Sequence, residues 1–230
     1  LKRPPDVTTI RSLLFVAWLY LSMALFAVGL SPALLMPHGA AVWVIKSWSK
    51  FVLFGLRWIA GVKVEFRGLE HRPTGSALIA GKHQSMLDVI APFAVLPDNC
   101  FIMKKELMPL PFFGWFAWKA KMIAVDRAGH AKALKVMTRQ ARDRLSEGRQ
   151  IVIFPEGKSH DLPQLAPLRT GLARMTLQAY QQHGVRGVRI VPIGLLFERK
   201  ESPRSRVLLQ VRPLAQSCRS SALPLVAGAV

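Results

Sequence analysis

The stretch that decides the fold is Ser76-Ala77-Leu78-Ile79-Ala80-Gly81-Lys82-His83-Gln84-Ser85-Met86-Leu87-Asp88. Its first six residues are small and mostly apolar, which predicts a buried strand, and Gly81 lets the backbone turn where that strand ends. An imidazole and a carboxylate follow, five residues apart. On one continuous helix this spacing would place the two side chains about 140° apart. They can meet only if His83 lies in a turn and Asp88 lies in the helix that begins after it.

The pairing of His83 with Asp88 would have a chemical use. A carboxylate on one imidazole nitrogen fixes the tautomer of the ring, and the other nitrogen is then free to take a proton from a hydroxyl group. The alternative is a surface histidine and a helix-start aspartate that are close by chance. The sequence thus predicts a general base at His83 and an orienting carboxylate at Asp88, provided that other features of the chain support this chemistry.

Composition and charge indicate a protein that works at a membrane surface. The 230 residues include 32 Lys and Arg against 13 Asp and Glu, a formal net charge of +19, and 51% of the residues are apolar. Such a charge favours an anionic partner, either nucleic acid or a membrane, and the high apolar content favours the membrane and disfavours nucleic acid. Two cysteines, Cys100 and Cys218, provide neither a disulfide framework nor a metal cluster, which fits a reducing cytoplasm.

The N-terminal segment predicts a helical hairpin embedded in the membrane. Residues 12–45 contain no Asp, Glu, Lys or Arg, and Pro32 and Pro37 divide this run. We expect helices at about residues 9–30 and 41–60. The second combines spaced basic residues with aromatic ones, as in helices that lie at a membrane interface: Lys46, Lys50 and Arg57 with Trp43, Trp48, Phe51, Phe54 and Trp58. Basic residues flank both ends of the pair, which predicts that both ends lie on the cytoplasmic face, of a bacterial inner membrane. The two prolines at the middle of the run favour a shallow hairpin, and two full membrane crossings are the alternative.

Beyond residue 62, short apolar runs alternate with helical stretches, which predicts an α/β fold with a mixed, mostly parallel sheet flanked by helices. Strands are expected at residues 62–66, 77–80, 100–103, 122–125, 150–154, 189–193 and 206–211. Helices are expected at residues 87–95, 112–119, 130–147 and 170–182, the third with Ala133, Leu134, Val136, Met137, Ala141 and Leu145 facing inward. We divide the chain into a membrane-associated segment (1–61), a folded domain (62–214) and a tail (215–230).

Charged residues follow several of the predicted strands, at the ends where α/β sheets bind ligands. Arg127, after the fourth strand, could bind phosphate with its planar guanidinium group or form a local ion pair with Asp126. Glu156 and Gly157 follow the fifth strand, in a Pro-Glu-Gly sequence that is also a common turn. These positions are candidates for an anion-binding site near His83.

Two further basic positions extend this set. Arg169 begins a predicted helix, whose free N–H groups suit an anion. Lys104 and Lys105 follow the third strand, where they would either add positive charge to the site or form a solvated charge run. The sequence alone leaves both possibilities open.

Four ordered blocks resemble the motifs of the glycerolipid acyltransferases, most closely the lysophosphatidic acid acyltransferases. The blocks are His83-Gln84-Ser85-Met86-Leu87-Asp88, Ile123-Ala124-Val125-Asp126-Arg127, Phe154-Pro155-Glu156-Gly157 and Ile190-Val191-Pro192-Ile193-Gly194. The resemblance covers about residues 62–214 and implies an acyltransferase catalytic domain there. Such a domain moves a fatty acyl group from acyl-CoA or acyl-carrier protein to the free hydroxyl of lysophosphatidic acid, giving phosphatidic acid, without a metal, a bound cofactor or a covalent intermediate.

The resemblance also implies roles for individual residues. His83 would be the general base, Asp88 its partner, Arg127 the ligand of the acceptor phosphate, and Glu156 with Gly157 would shape the acceptor site. The whole implied substrate-binding set is Arg127, Glu156, Gly157, Lys158, Arg169, Lys104 and Lys105. Because a thioester is already activated, the remaining requirement is an oxyanion donor, for which backbone amides near Gly157 or a lysine are candidates.

The third block departs from the family pattern. Many members read Glu-Gly-Thr-Arg where this chain has Glu156-Gly157-Lys158-Ser159, so a second arginine is missing and Lys158 could replace its charge but not its bidentate geometry. Two nearby runs, Ser159-His160-Asp161 and Leu168-Arg169-Thr170-Gly171, resemble some glycerol-3-phosphate acyltransferases more closely. Glycerol-3-phosphate or another lysolipid is therefore the alternative acceptor, and a non-catalytic basic membrane-binding protein is the alternative of a different class.

Overall fold

The described part of the chain is an α/β sheet with helices packed against it. In the computed structural model the described residues are 7–126, 130–157, 167, 188–198 and 205–213. The strands are β1 (Lys63–Arg67), β2 (Ala77–Gly81), β3 (Asn99–Lys104), β4 (Ile123–Val125), β5 (Gln150–Ile153), β6 (Arg189–Phe197) and β7 (Arg206–Val211). The helices are α1 (Val7–Gly29), α2 (His38–Gly55), α3 (Leu87–Val95), α4 (Phe113–Lys119) and α5 (His130–Ser146).

Within the described residues the strands form one seven-stranded sheet in the order β1-β7-β6-β2-β5-β3-β4. Neighbouring strands are parallel except β6 and β7, which are antiparallel. The predicted mixed, mostly parallel sheet is therefore confirmed. β2 lies at its centre between β6 and β5, so its short apolar side chains are buried. The turn that carries His83 therefore leaves the sheet at its middle.

Strand bounds agree with the sequence prediction to within one residue, except in β6. This strand continues to Phe197, four residues further than predicted, because its second half pairs with β7 from Ile193 to Phe197. Pro192 and Gly194 disfavour a strand in the sequence pattern. Pairing with strands on both sides of β6 overrides that local preference.

Helix α5 lies at the predicted position, but one of its predicted inward residues is wrong. Val136 is 45% exposed, whereas Thr138 is buried, and its Oγ1 donates a hydrogen bond to the carbonyl oxygen of Leu134 at 2.7 Å. The buried stripe therefore runs through residues 134, 138, 141 and 145, a helical spacing that leaves Val136 on another face. A hydroxyl that bonds to its own helix can be buried at little cost.

The two N-terminal helices form a hairpin that lies against α3 and α4. A 3₁₀ turn, Ser31–Leu34, follows α1, and α2 continues into a π-helical turn, Leu56–Ala60. Helix α2 packs against α1, α3 and α4, and the Ser49 hydroxyl donates a hydrogen bond to the carbonyl oxygen of Ile90 in α3 at 2.5 Å. The hairpin is thus bound to the sheet domain along the middle of α2.

Lys46 does not belong to the basic interfacial stripe that the sequence predicted. Its Nζ donates hydrogen bonds to the carbonyl oxygens of Leu96 and Pro97, at 2.8 and 2.9 Å, just after α3 ends. Carbonyl groups at the end of a helix lack partners within the helix, so a cation is well placed there. Lys50 and Arg57 are exposed, as the interfacial pattern requires.

Helix α1 leaves most of its apolar surface uncovered. Its exposed large side chains are Val7, Ile10, Leu13, Leu14, Val16, Tyr20, Leu21, Leu25 and Val28. By length and composition alone, α1 and residues 38–60 are each apolar enough to cross a membrane. The domain bounds stay a prediction, and the predicted helix at residues 170–182 and the tail at 215–230 lie outside the described residues.

Replacing Lys46 by Ala should loosen the hairpin from α3. Two hydrogen bonds from a charged donor would be lost, and we expect the free energy of unfolding to fall by about 1.5–3 kcal/mol. Lys50→Ala, one turn later on an exposed face, should change it by less than about 0.5 kcal/mol. Chemical denaturation in detergent micelles measures both variants. Equal losses would show that the bonds of Lys46 do not hold the hairpin.

Candidate active site

The turn between β2 and α3 brings His83 and Asp88 together. His83 lies just after β2, and Asp88 lies in the first turn of α3. The His83 Nδ1 atom is 3.6 Å from Asp88 Oδ2, and the two side chains are 28% and 2% exposed. Because Nδ1 is the buried nitrogen that faces the carboxylate, Nε2 is the nitrogen that a substrate can reach.

The Asp88 carboxylate also holds the loop that carries His83. Its Oδ2 accepts hydrogen bonds from the backbone N–H groups of Gln84 and Ser85, at 2.6 and 2.5 Å. Burying a carboxylate is costly unless donors surround it. These two N–H groups and the positive end of α3 offset that cost. The separation between Nδ1 and Oδ2 is slightly longer than a hydrogen bond, which is common at catalytic pairs before substrate binds.

Phe154 fixes the face of the imidazole, a role that the sequence analysis missed. The two rings are stacked, with centroids 4.4 Å apart and planes inclined by 16°. Residues that follow β2 and β5 meet because these strands are paired, with Ala80 opposite Ile153. The sequence does show an aromatic residue directly after β5. Its contact with His83 can be predicted only once β2 and β5 are known to be neighbouring strands.

Gly81 is required for close packing rather than for turning. The φ angle of Gly81 is not positive. A Cβ atom at this position would lie 3.2 Å from Ile193 Cγ2 and 3.5 Å from Phe154 Cε1. Gly157, in contrast, has a φ of +72°, which other residues rarely adopt. It closes the turn after β5 as expected, through an N–H that donates to the carbonyl oxygen of Phe154 at 3.0 Å.

Glu156 and Gly157 differ in their position relative to the cavity beside His83. Gly157 lines the cavity beside His83, whereas Glu156 is 3% exposed and is not among the lining residues. Since the Gly157 N–H already bonds to Phe154, it is not available to an oxyanion in this conformation. Gly157 therefore lies in the cavity wall, and Glu156 is buried outside it.

A large apolar cavity opens beside His83. Its volume is about 1450 Å³, above the roughly 300–1,000 Å³ that is usual for small-molecule pockets. The hairpin contributes Leu19, Tyr20, Met23, Phe26, Ala27, Val44, Ile45 and Trp48 to its wall. His83, Lys104 and Asp126 provide charged or polar groups in the lining. A cavity of this form suits a long apolar chain whose polar end lies at His83.

The structure separates the two candidate lysines. Lys104 is the last residue of β3 and lines the cavity, whereas Lys105 begins the following 3₁₀ turn and does not. Both side chains are exposed. The other predicted phosphate ligands, Arg127, Lys158 and Arg169, lie outside the described residues, and their roles stay predictions.

Other chemistry is poorly supported near this site. Cys100, in β3, is buried, and burial raises the pKa of its thiol to about 11, so it is not a nucleophile at neutral pH. Within the described ranges no group of three or more His, Cys, Asp or Glu could hold a metal ion. The absence of a bound cofactor stays an expectation.

Sequence comparison decides the family. The sequence model of the Acyltransferase family matches residues 63–196, more than half of the chain. The chain belongs to the Acyltransferase family. This acyltransferase is 31% identical over 192 residues to the 1-acyl-sn-glycerol-3-phosphate acyltransferase of Pseudomonas aeruginosa, which corresponds to 82% of this chain and 71% of that protein. It is 41% identical over 85 residues to the enzyme of that name from Helicobacter pylori, covering 36% of this chain and 35% of that protein.

A mammalian relative and a solved structure extend the comparison. The acyltransferase is 31% identical over 146 residues to human 1-acyl-sn-glycerol-3-phosphate acyltransferase alpha, and spans about half of that protein: 63% of this chain and 49% of that one. Its fold matches the crystal structure of the 1-acyl-sn-glycerophosphate (LPA) acyltransferase PlsC from Thermotoga maritima, with a TM-score of 0.69, 19% identity and coverage of 90% and 86%. The predicted family and fold class are thus confirmed.

Phe154→Leu should lower kcat of the acyltransferase by roughly tenfold, because a flexible side chain no longer fixes the plane of His83 and small misplacements of a catalytic group are costly. The KM values should change little. Phe66→Leu is the control, because it makes the same change in β1, an edge strand of the sheet. Steady-state kinetics of both purified variants test the role of Phe154, and equal rates would disprove it.

Proposed function

We propose that this acyltransferase moves a fatty acyl chain from an acyl thioester to the free hydroxyl of lysophosphatidic acid, giving phosphatidic acid. The observation that carries the proposal is the position of His83, with Nε2 at a cavity that is apolar along most of its wall. The relatives from Pseudomonas aeruginosa and Helicobacter pylori, which are named for this reaction, support it. The thioester is acyl-CoA or acyl-carrier protein.

In the proposed reaction His83 Nε2 takes the proton of the acceptor hydroxyl. The oxygen then forms a bond with the thioester carbonyl carbon, and the resulting tetrahedral intermediate collapses by breaking the C–S bond. The thiolate leaves and receives the proton that His83 had taken. Asp88, facing Nδ1, stabilises the imidazolium between these steps. A positioned base of this kind typically contributes about 10² to 10⁴ in rate.

Basic residues at the carboxyl ends of the strands bind the acceptor phosphate in this proposal. Lys104 is the described cation that lines the cavity, and it is also the candidate donor to the oxyanion. Arg127, Lys158 and Arg169 complete the site from positions outside the described residues. Glu156, buried next to Gly157, supports the turn that shapes the acceptor site.

The membrane arrangement belongs to the same proposal. Ser49 and Lys46 bind helix α2 to α3 and to the two residues that follow it. These hydrogen bonds would have to break before α2 could cross a bilayer, because α3 belongs to the sheet domain. The hairpin therefore lies in one leaflet, with its exposed α1 side chains in the acyl region. The net charge of +19 holds the protein to the anionic cytoplasmic face, where acyl thioesters are made.

The experiment that tests this function is acyl transfer by the purified protein in detergent or nanodiscs. Labelled acyl-CoA and acyl-carrier protein are each offered with lysophosphatidic acid, glycerol-3-phosphate and other lysolipids. We expect labelled phosphatidic acid from lysophosphatidic acid. Transfer to glycerol-3-phosphate alone would assign the acceptor suggested by residues 159–171, and absence of thioester turnover would favour a non-catalytic membrane protein.

His83→Ala should lower kcat by about 10² to 10⁴, because the hydroxyl loses its base. Asp88→Asn should also be severe, since it removes the charge that stabilises the imidazolium. His71→Ala, a half-exposed histidine before β2, is the control and should retain the wild-type rate. A His83→Ala enzyme with more than about a tenth of that rate would contradict the assignment.

Lys104→Ala should raise the KM of the acceptor by about 10-fold or more, the size expected for losing a charge-assisted hydrogen bond. Lys105→Ala, the adjacent lysine outside the cavity, should leave this constant nearly unchanged. Initial rates at varied acceptor and donor concentrations measure both effects. A rise in the KM of the thioester alone would place Lys104 in the donor site instead.

A further inference from the structure

A second cavity lies beside β4. Its volume is about 530 Å³, and its wall includes Lys121 and Met122, directly before β4, and Trp118 and Lys119 at the end of α4. Met122 also lines the large cavity, so the two cavities are neighbours. Neither His83 nor Lys104 lines the second cavity, which therefore has no part in the proposed reaction.

The second cavity is cationic. Lys119, Lys121 and Arg144 line it, and no carboxylate is among its described lining residues. Glu147 accepts from both Lys121 and Arg144 through one oxygen, at 2.9 and 3.1 Å. One carboxylate thus faces two cations, and within the described part of the chain Lys119 has no ion pair. The net charge at the cavity is positive.

His38 also lines this cavity, and it connects the site to the hairpin. Its Nε2 lies 3.5 Å from Asp98 Oδ2, and the other oxygen of Asp98 pairs with buried Arg149 at 3.0 Å. The acidic group nearest to His38 is therefore already neutralised by an arginine. It does not cancel the charge that Lys119 presents.

Four exposed apolar side chains belong to the segments that line the cationic cavity. We define the α4 rim as Leu35, Met36, Trp115 and Trp118, whose side chains are all more than half exposed. Trp118 lines the cavity, and Trp115 lies one turn earlier in α4. Leu35 and Met36 are followed by Pro37 and then by His38, which also lines the cavity. The 3₁₀ turn before them packs against α4. Exposed indoles beside basic groups are typical of the boundary between the acyl chains and headgroups of a bilayer.

We propose that the second cavity binds the phosphate of an anionic phospholipid in the bilayer, through Lys119 with Lys121 and Arg144, while the α4 rim enters the acyl region. The rim selects a lipid over a soluble phosphate compound, because a soluble ligand would leave these four side chains in water. The site is separate from the acyl-transfer site and gives the enzyme a second membrane contact, besides α1.

The test compares Lys119→Gln with Lys135→Gln, which removes an exposed lysine from α5 and so matches the change in charge. The full chain is partitioned onto phosphatidylcholine vesicles with about 30% phosphatidylglycerol. We expect Lys119→Gln to lower the partition coefficient about fivefold. The loss should persist in about 0.5 M KCl, because a direct contact between the ammonium group and the phosphate is screened less than attraction over longer distances. Lys135→Gln should have a small effect that disappears in this salt.

Two further experiments test whether the ligand is a lipid or a soluble phosphate, and whether the α4 rim enters the bilayer. Inorganic phosphate, titrated calorimetrically without vesicles, should show no saturable binding that depends on Lys119. Trp118→Ala should weaken partition onto pure phosphatidylcholine vesicles, whereas Lys119→Gln should not. Acyl transfer by Lys119→Gln in detergent should equal that of the wild type, so failure of the lipid site is distinct from failure of the proposed function.

Three outcomes would overturn the proposal. Equal losses in Lys119→Gln and Lys135→Gln would mean diffuse attraction of a basic protein to an anionic surface. Lys119-dependent binding of inorganic phosphate would mean a soluble ligand. Unchanged partition of Trp118→Ala onto neutral vesicles would mean that the α4 rim does not enter the bilayer.

Discussion

Two hydrogen bonds to one carboxylate oxygen determine where the candidate base lies. Asp88 Oδ2 accepts the N–H groups of Gln84 and Ser85, and the loop that they anchor carries His83. The same oxygen faces His83 Nδ1. A single buried charge at the start of α3 thus shapes the loop and orients the ring, and its position depends on β2 being the central strand. Phe154, from the neighbouring β5, completes the support from the other side of the ring.

The N-terminal hairpin contributes to the candidate site and also carries an exposed apolar surface. One side of α1 and α2 joins α3 in a small apolar cluster of Leu19, Val52 and Ile90. Other hairpin residues form a wall of the large cavity, while the outer side of α1 remains exposed and apolar. In the proposed function, an acyl chain in the cavity and the lipid around the hairpin would lie on two sides of the same helices. This arrangement would let a lipid acceptor approach His83 without passing through water.

The sequence correctly predicted those features that depend on local patterns of residues. Apolar runs placed the strands, and the spacing of His83 and Asp88 identified a pair that must bridge a turn and a helix. The errors arose where tertiary contacts decide. Lys46 has the spacing of an interfacial lysine, yet the end of α3 lies within its reach. Gly81 was expected only to let the backbone turn, yet the side chain of Ile193 packs closely against it. The second cavity combines residues of α2, α4 and α5, which no sequence pattern brings together.

We infer that Asp88 holds His83 with Nδ1 protonated, so that Nε2 is the free base at the cavity. Nitrogen NMR of histidine-labelled protein in micelles measures this tautomer, with the His83 signal assigned by its loss in His83→Gln. We expect the Nδ1–H tautomer in the wild type and a shift away from it in Asp88→Asn. A wild-type ring protonated at Nε2, or an Asp88→Asn ring with an unchanged tautomer, would show that Asp88 does not orient the base.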